Sequence, residues 1–323
     1  MSVVIESMVD EKIVERFQRL ILSGRLAHAY LFIGPQGCGK TQTAVAIAKL
    51  VNCELEKEMY CGECVSCRKI SSGNHPDILV CDQGEDKSIK IQKVRELVER
   101  IQLQPYEAKR KVVIFKDIDL LTIEGANAFL KTLEEPTASS LLLLTTANPE
   151  RILGTVKSRC HMVYFSSCSR EKLSHRLQKE MVSSELQADV ISGFSEGCYG
   201  QARGFFERDF MASKNVVIDE FLFRAADDTY LKAVLSDEQA TKEALDVLLF
   251  CFKDLMLLNA GVSDKQITNS DRIADLRACA ARYSLDQLRN ILAEVVNTKK
   301  MLDANFNVKV PLMLLKEKIW TRS

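Results

Sequence analysis

The sequence feature that most constrains the fold is a short glycine-rich segment between an apolar run and a helical pattern. Ala29 to Ile33 form the apolar run, and Thr41 to Val51 place Ala44, Ile47 and other small or apolar residues on one helical face. The segment between them comprises Gly34, Pro35, Gln36, Gly37, Cys38, Gly39, Lys40 and Thr41. A strand that leads through Gly-x4-Gly-Lys-Thr into a helix is the context of a phosphate-binding loop. The sequence therefore predicts an α/β nucleotide-binding domain.

The residue types of this loop predict how a nucleotide would be held. Glycines let backbone N–H groups close around the β-phosphate, and the N-terminus of the following helix adds its dipole. Lys40 would pair with the β- and γ-phosphates, and the Thr41 hydroxyl would ligate Mg²⁺. The expected ligand is ATP or ADP with Mg²⁺.

Four further apolar runs follow the loop and alternate with helical patterns. The predicted strands are Ile78 to Cys81, Val112 to Phe115, Leu141 to Leu144 and Met162 to Phe165. Helical patterns cover residues 10–23, 89–103 and 123–133. Strands that alternate with helices predict a parallel sheet covered on both faces. After Phe165 the patterns are helical only, with three short segments in 169–212 and longer ones in 214–321.

The acidic pair that a hydrolysing site needs at the end of a second strand is incomplete. Such a strand normally ends in Asp-Glu, whose first member holds Mg²⁺ and whose second polarises water. Here Lys116 stands in place of the metal-binding Asp, and Asp117 stands in place of the longer Glu. Because a lysine repels Mg²⁺, we expect a site that holds phosphates and is poorly equipped to split them. The alternative is a shifted register in which Asp117 is the metal ligand.

Four cysteines follow the helix that the phosphate loop opens, at a spacing typical of a metal site. They are Cys53, Cys61, Cys64 and Cys67, and they form two overlapping Cys-x2-Cys turns. Four thiolates suit tetrahedral Zn²⁺ and leave no open coordination position, so the expected role is structural. The alternative is a set of free thiols or a disulfide pair. Cys38, Cys81, Cys160 and Cys168 lie outside this spacing and are interpreted as packing residues.

Composition limits the classes of function. The 323 residues carry 44 basic and 44 acidic side chains, so no net charge favours binding to nucleic acid or to a membrane. No apolar run approaches the roughly 18 residues that a membrane helix needs. The first residues lack the basic and apolar regions of a signal peptide. Eleven cysteines, several of them in apolar segments, suit reduced thiols. We therefore expect a cytoplasmic protein of several domains.

Several motifs occur in an order that resembles a known family. The segment from Gly24 to Phe32, the phosphate loop, the four cysteines, the segment from Asn127 to Pro136 and the triplet Ser158-Arg159-Cys160 follow one another. This order resembles the AAA+ clamp-loader subunits of bacterial DNA polymerase III, over about residues 10–205. The resemblance implies three domains: a nucleotide-binding domain at 1–166 with a zinc-binding insert at 53–67, a helical lid at 167–213, and a helical collar at 214–323 that oligomerises.

The family's functional residues can be placed on matching positions. Arg159 corresponds to the arginine finger, which reaches the γ-phosphate of a neighbouring subunit and stabilises the charge that develops during phosphoryl transfer. Thr146 corresponds to the first sensor of the γ-phosphate, with Thr145 and Asn148 as rival registers. Arg203 corresponds to the second sensor.

Two subfamilies compete within this resemblance. Gamma/tau motor subunits keep the Asp-Glu pair, whereas delta-prime subunits have lost it, and the length of the chain also favours delta-prime. That assignment implies a stator of the DNA polymerase III holoenzyme that has no hydrolysis of its own. Its expected partners are gamma/tau and delta subunits, the sliding clamp and primer-template DNA. The intact phosphate loop departs from many delta-prime subunits and leaves ATP binding open.

Two other functions compete with the stator. An ATP-hydrolysing motor subunit would use Asp117 as its acidic residue. A zinc-dependent DNA-binding module is disfavoured by the neutral net charge and by an insert without interleaved aromatic and basic residues.

Overall fold

In a computed structural model of the protein, the chain divides into two compact units. The first falls within Met1–Ser167 and Cys198–Gln201, and the second within Cys168–Gly197 and Ala202–Ser323. The structure describes residues 8–55, 59–84, 86, 88–223, 235, 237–304 and 306–320. The division of residues 167–323 into a lid and a collar stays a prediction.

A five-stranded parallel sheet forms the centre of the first unit. Its strands are β1 (Ala29–Ile33), β2 (Ile78–Cys81), β3 (Lys111–Phe115), β4 (Ser140–Thr146) and β5 (His161–Tyr164). Every pair of neighbours is parallel, and the order across the sheet is β2-β3-β4-β1-β5. The predicted strands and the predicted α/β class are therefore confirmed. Because β3, β4 and β1 are neighbours and run parallel, their carboxyl ends lie side by side at one edge of the sheet.

Helices cover both faces of this sheet. They are α1 (Glu11–Leu22), α2 (Lys40–Asn52), α3 (Val65–Ser72), α4 (Ile91–Gln102), α5 (Ile123–Glu134) and α6 (Gly154–Lys157). One hydrophobic cluster joins Phe17 of α1 and Ile47 of α2 to the sheet, and a second joins Leu97 of α4 and Phe129 of α5 to it. Every residue of β1, β3 and β4 is buried, which explains why the central residues of these strands form unbroken apolar runs in the sequence.

Among its described residues, the second unit contains helices joined by loops and no strand. Its α-helices are α7 (Arg170–Met181), α8 (Glu185–Phe194), α9 (Tyr199–Glu207, which begins in the first unit), α10 (Phe210–Ile218), α11 (Glu238–Asn259), α12 (Ile273–Ala280), α13 (Leu285–Asp303) and α14 (Lys309–Trp320). A short π-helix, Asp219–Phe223, follows α10. Among the described residues, none of the helices has the length and apolar character needed to cross a bilayer.

Polar contacts, partly or fully buried, connect distant segments of the second unit. Arg170 donates to both carboxylate oxygens of Asp189, at 2.9 and 2.6 Å, and to the carbonyl of Ile267 at 2.9 Å. The fully buried Lys214 contacts Asp271 at 2.8 Å. These contacts fasten the start of α7 and the middle of α10 to the segment that precedes α12, so 168–197 and the later helices pack as one unit.

Candidate nucleotide site and cysteine cluster

The predicted phosphate loop runs from the end of β1 into the first turn of α2. Gly39 immediately precedes the helix with φ +94°, a conformation that L side chains rarely adopt, and a Cβ there would lie 1.9 Å from the carbonyl oxygen of Met8. A Cβ on Gly34 would lie 2.6 Å from the carbonyl oxygen of Phe165. The two glycines are therefore required by the close approach of other backbone segments.

Lys40 is held inside this loop. Its ammonium group donates to the carbonyl oxygens of Gly34 and Pro35, each at 2.7 Å, and the side chain is 6% exposed. The Cys38 sulfur lies 3.9 Å from the same ammonium group, and burial raises the pKa of the Cys38 thiol. The oxygens of a bound phosphate could replace these two carbonyl acceptors. The position of Lys40 is therefore compatible with the predicted pairing between its ammonium group and the phosphates.

Lys116 follows β3 and turns towards the end of β2. Its ammonium group lies 3.3 Å from the carboxylate of Asp82, which also lies 3.6 Å from Lys93. Burial alone would raise the pKa of Asp82, but the hydrogen bond and charge of Lys116, the charge of Lys93 and the backbone N–H of Gly84 together lower that pKa below its usual value. The lysine at the expected position of the metal-binding acid is thus paired with an aspartate that the sequence analysis did not single out.

Asp117 adopts an unusual backbone conformation between Lys116 and a short 3₁₀ helix. Its φ is +48°, and its backbone N–H donates to the Thr145 hydroxyl at 3.1 Å. Burial, reinforced by the charge of Asp119, raises the pKa of Asp117, while the charges of Lys40 and Lys116 act in the opposite direction. The carboxylate therefore lies within electrostatic range of the phosphate-loop lysine.

Thr146, the predicted first sensor, ends β4 beside the phosphate loop. Its hydroxyl donates to Asp119 at 2.6 Å and accepts from the backbone N–H of Asn148 at 2.9 Å. The Asn148 amide also donates to Asp119, at 2.9 Å. The backbone carbonyl of Thr146 accepts from the N–H of Gly34 at 3.2 Å. The Thr146 hydroxyl therefore donates its only proton to Asp119, a partner that the sequence did not reveal.

The two predicted arginines lie in different units. Arg159 precedes β5 in the first unit, where its guanidinium contacts Glu134 at 2.6 Å and the Thr155 carbonyl at 2.8 Å. Arg203 lies on α9 in the second unit, and its Nε donates to Glu207 at 2.8 Å. The structure thus brings the phosphate loop, Asp117 and Thr146 together at one edge of the sheet, and it gives the two arginines local acidic partners.

The four predicted metal-binding cysteines converge at the end of α2. Their sulfur atoms all lie within 4.8 Å of one another. The backbone N–H groups of Cys64 and Glu63 donate to Cys61 and lower the pKa of that thiol to about 6, whereas burial raises the pKa of Cys67. Backbone donors to sulfur and a compact group of thiols fit a four-coordinate metal ion. The described part of the insert can therefore hold a metal.

The sheet order and the loop define the class of protein. A phosphate-binding loop after an interior strand of a five-stranded parallel sheet, followed by a helical region, makes this an AAA+ P-loop protein. The family model for DNA polymerase III, delta subunit, matches residues 9–169. The model for the C terminal part of the delta subunit matches residues 209–317.

Individual relatives make the assignment more specific. DNA polymerase III subunit delta' of Bacillus subtilis (strain 168) is 28% identical over 310 residues, which cover 93% of both chains. The delta' subunit of Escherichia coli (strain K12) is 30% identical over 297 residues, 90% of this chain and 86% of the relative. Subunit tau of B. subtilis is 33% identical over 214 residues, 64% of this chain and 38% of tau. The chain belongs to the delta' family of DNA polymerase III clamp-loader subunits.

Proposed function

We propose that this chain is a stator subunit of the replicative clamp loader, which helps to load the sliding clamp onto primed DNA without hydrolysing ATP itself. It would contact gamma/tau motor subunits and the delta subunit, and would reach the clamp and the primer-template DNA through the assembled loader in the cytoplasm. One observation carries this proposal: Lys116 takes the place of the metal-binding acid and is paired with Asp82 at 3.3 Å.

The phosphate loop would bind Mg-ATP or Mg-ADP. Lys40 would exchange its two loop carbonyls for phosphate oxygens, and Thr41 at the start of α2 would ligate Mg²⁺. Because Lys116 replaces the second protein ligand of the metal, nucleotide would be retained rather than turned over. The sensor roles of Thr146 and Arg203 belong to this same proposal.

Arg159 would act in trans on the nucleotide of a neighbouring motor subunit. Its side chain is 34% exposed and belongs to a short loop before the edge strand β5. An arginine that approaches a γ-phosphate from another subunit stabilises the charge on the transferred phosphoryl group. A non-hydrolysing subunit would in this way control hydrolysis next to it.

The cysteine cluster would hold one structural Zn²⁺. A site with four thiolates offers no position for substrate, so the metal would order the insert rather than take part in chemistry. The lid at 167–213 and the collar at 214–323 would complete the three-domain organisation.

A second candidate is an ATP-hydrolysing motor subunit of the gamma/tau type. The observation that favours it is the place of Asp117 after β3, where its backbone N–H donates to the Thr145 hydroxyl near the carboxyl end of β4. In that case Asp117 would hold Mg²⁺ despite its shorter reach.

The steady-state ATPase of the reconstituted loader, with clamp and primed DNA, tests the proposal. We expect Arg159→Ala to lower hydrolysis at the affected site by about 10³-fold or more. The ATPase rate of the whole complex should fall by less if its other nucleotide sites keep their own arginine fingers. Gel filtration must first show that the mutant complex assembles. An assembled Arg159→Ala complex with wild-type turnover would remove the finger role.

A further inference from the structure

We infer that Glu134 is a positioning residue for Arg159, holding the guanidinium in the orientation from which it acts in trans. This inference rests on the proposed function, because it assigns a role to Glu134 only if Arg159 is a finger. The observation behind it is the 2.6 Å contact between Nη2 of Arg159 and Oε1 of Glu134.

The arginine is held from two directions. Glu134 contacts Nη2, while Nη1 donates to the Thr155 carbonyl at 2.8 Å and to the Ser158 hydroxyl at 3.3 Å. A guanidinium group has five N–H donors. The two hydrogen bonds from Nη1 use two of them, and Nη2 forms an ion pair with Glu134. The N–H groups on Nε and Nη2 are the donors left for a contact with a phosphate.

Both sets of partners are fixed to the folded core. Glu134 is the last residue of α5, whose Phe129 and Leu133 are buried in the sheet-facing cluster. Thr155 and Ser158 belong to α6 and its C-terminal end, which the buried Val156 anchors to the same cluster. The carboxylate and the carbonyl therefore hold the guanidinium between two anchored segments. An arginine arranged in this way loses less rotamer freedom when it meets its target.

The contact between Arg159 and Glu134 is an ion pair between partly exposed side chains. The side chains of Arg159 and Glu134 are 34% and 48% exposed, so water and salt screen their charges. The ion pair adds a modest restraint to the two hydrogen bonds that Nη1 makes. We therefore expect loss of the Glu134 carboxylate to disorder the guanidinium and to slow hydrolysis in the neighbouring subunit.

The chain offers a matched control in the adjacent glutamate. Glu135 follows Glu134 at the end of α5, is also exposed, and makes no ion pair with a described residue. Glu134→Gln and Glu135→Gln remove the same charge from neighbouring positions. Only the first removes a partner of Arg159.

The test is the ATPase of the reconstituted loader with clamp and primed DNA, measured as kcat and KM for ATP. We expect Glu134→Gln to lower kcat about three- to fivefold with KM unchanged, and Glu135→Gln to leave both unchanged. In an Arg159→Ala background, Glu134→Gln should have no further effect, because there is no finger left to position. Glu134→Asp, which keeps the charge with a shorter reach, should fall between wild type and Glu134→Gln.

The outcomes separate this inference from the proposed function. If Arg159→Ala slows hydrolysis and Glu134→Gln behaves like Glu135→Gln, the positioning role is wrong while the finger remains. Faster hydrolysis by Glu134→Gln would also overturn it, since the ion pair would then restrain the finger. Equal losses by Glu134→Gln in the wild-type and Arg159→Ala backgrounds would mean a structural role. If Arg159→Ala itself does not slow ATP hydrolysis, the proposed function is wrong.

Discussion

The phosphate loop and the end of β3 lie at the same edge of one sheet, yet they differ in how far they match a hydrolytic site. The loop has every element of the phosphate-binding pattern, with the Lys40 ammonium at its centre. At the end of β3, Lys116 stands where the sequence pattern leads us to expect a metal-binding acid, and it pairs with Asp82. The loop is therefore suited to bind phosphate, whereas the end of β3 carries a lysine where phosphoryl transfer would need an acid.

This difference teaches that phosphate binding and phosphoryl transfer have separate requirements. Binding needs backbone N–H groups, a helix N-terminus and a lysine, which α2 and its loop provide. Transfer needs in addition an acid that fixes Mg²⁺ and a group that orients water. Under the proposed function, this chain keeps the first set and lacks the second, so it would hold nucleotide and act on a neighbouring subunit.

The largest effect is expected at the cysteine cluster, which lies just beyond α2 and belongs to neither region. Cys64→Ser should reduce the zinc content from about one ion per chain to none, because a closed four-thiolate site does not tolerate loss of a ligand. Amide hydrogen exchange should show that residues 59–67 become less protected. The affinity for Mg-ADP should change by less than about threefold.

Metal analysis of protein purified under reducing conditions checks this prediction. Cys168→Ser is the control, because Cys168 lies outside the cluster and is exposed, so its interpretation as a packing residue was wrong. A wild-type protein with well under one zinc per chain would contradict the site. A Cys64→Ser protein that loses nucleotide affinity would show that the insert and the loop are coupled.

A smaller but still large effect is expected when the phosphate loop is disabled. Lys40→Ala should weaken Mg-ADP binding by about 30- to 100-fold, because it removes a charge-assisted contact with the phosphates. Lys116→Ala, at the end of β3, should change the affinity by less than about threefold. Isothermal titration calorimetry compares the two variants directly. If wild type and Lys40→Ala bind Mg-ADP with equal affinity, the contrast between the phosphate loop and the end of β3 is wrong. If neither binds Mg-ADP, the loop is vestigial.

The smallest effect is expected at Asp117. Its pKa is raised in the folded protein, so the carboxylate costs stability at neutral pH and this cost disappears once the group is protonated in both states. Asp117→Asn should therefore raise the melting temperature slightly near pH 7. The difference should vanish as the pH falls below the ordinary range of an aspartate. Thermal unfolding at several pH values measures it.

The same variant tests whether Asp117 is a metal ligand. We expect Asp117→Asn to leave the Mg²⁺ dependence of ADP binding unchanged, because the proposed function gives Asp117 no ligand role. A strong loss of Mg²⁺-dependent affinity would favour the motor subunit.

Much of the fold could be predicted because the central strands are buried on both faces. The central residues of β1, β3 and β4 form unbroken apolar runs, so the number and order of these strands along the chain are evident. The phosphate loop and the cysteines could be predicted because their chemistry fixes their spacing. The position of each strand within the sheet depends on long-range pairing, which periodicity does not reveal.

The acidic partners of the site could not be predicted in the same way. Glu134 and Asp82 are distant in sequence from Arg159 and Lys116, and each is one exposed carboxylate among many. Asp119 contacts Thr146 only because the 3₁₀ turn after β3 brings it beside β4. The salt bridges of the second unit, such as the one between Lys214 and Asp271, likewise depend on the tertiary packing of helices whose sequences carry no motif.

Single-turnover hydrolysis by the isolated chain tests the central claim most directly. The purified protein, in excess over ATP and with Mg²⁺, is followed for phosphate release, with Lys40→Ala as the variant that cannot hold the nucleotide. We predict that wild-type protein binds ATP and returns it intact, with no phosphate formed above the Lys40→Ala level. Phosphate release that requires both Lys40 and Asp117 would contradict the account and identify the chain as a motor.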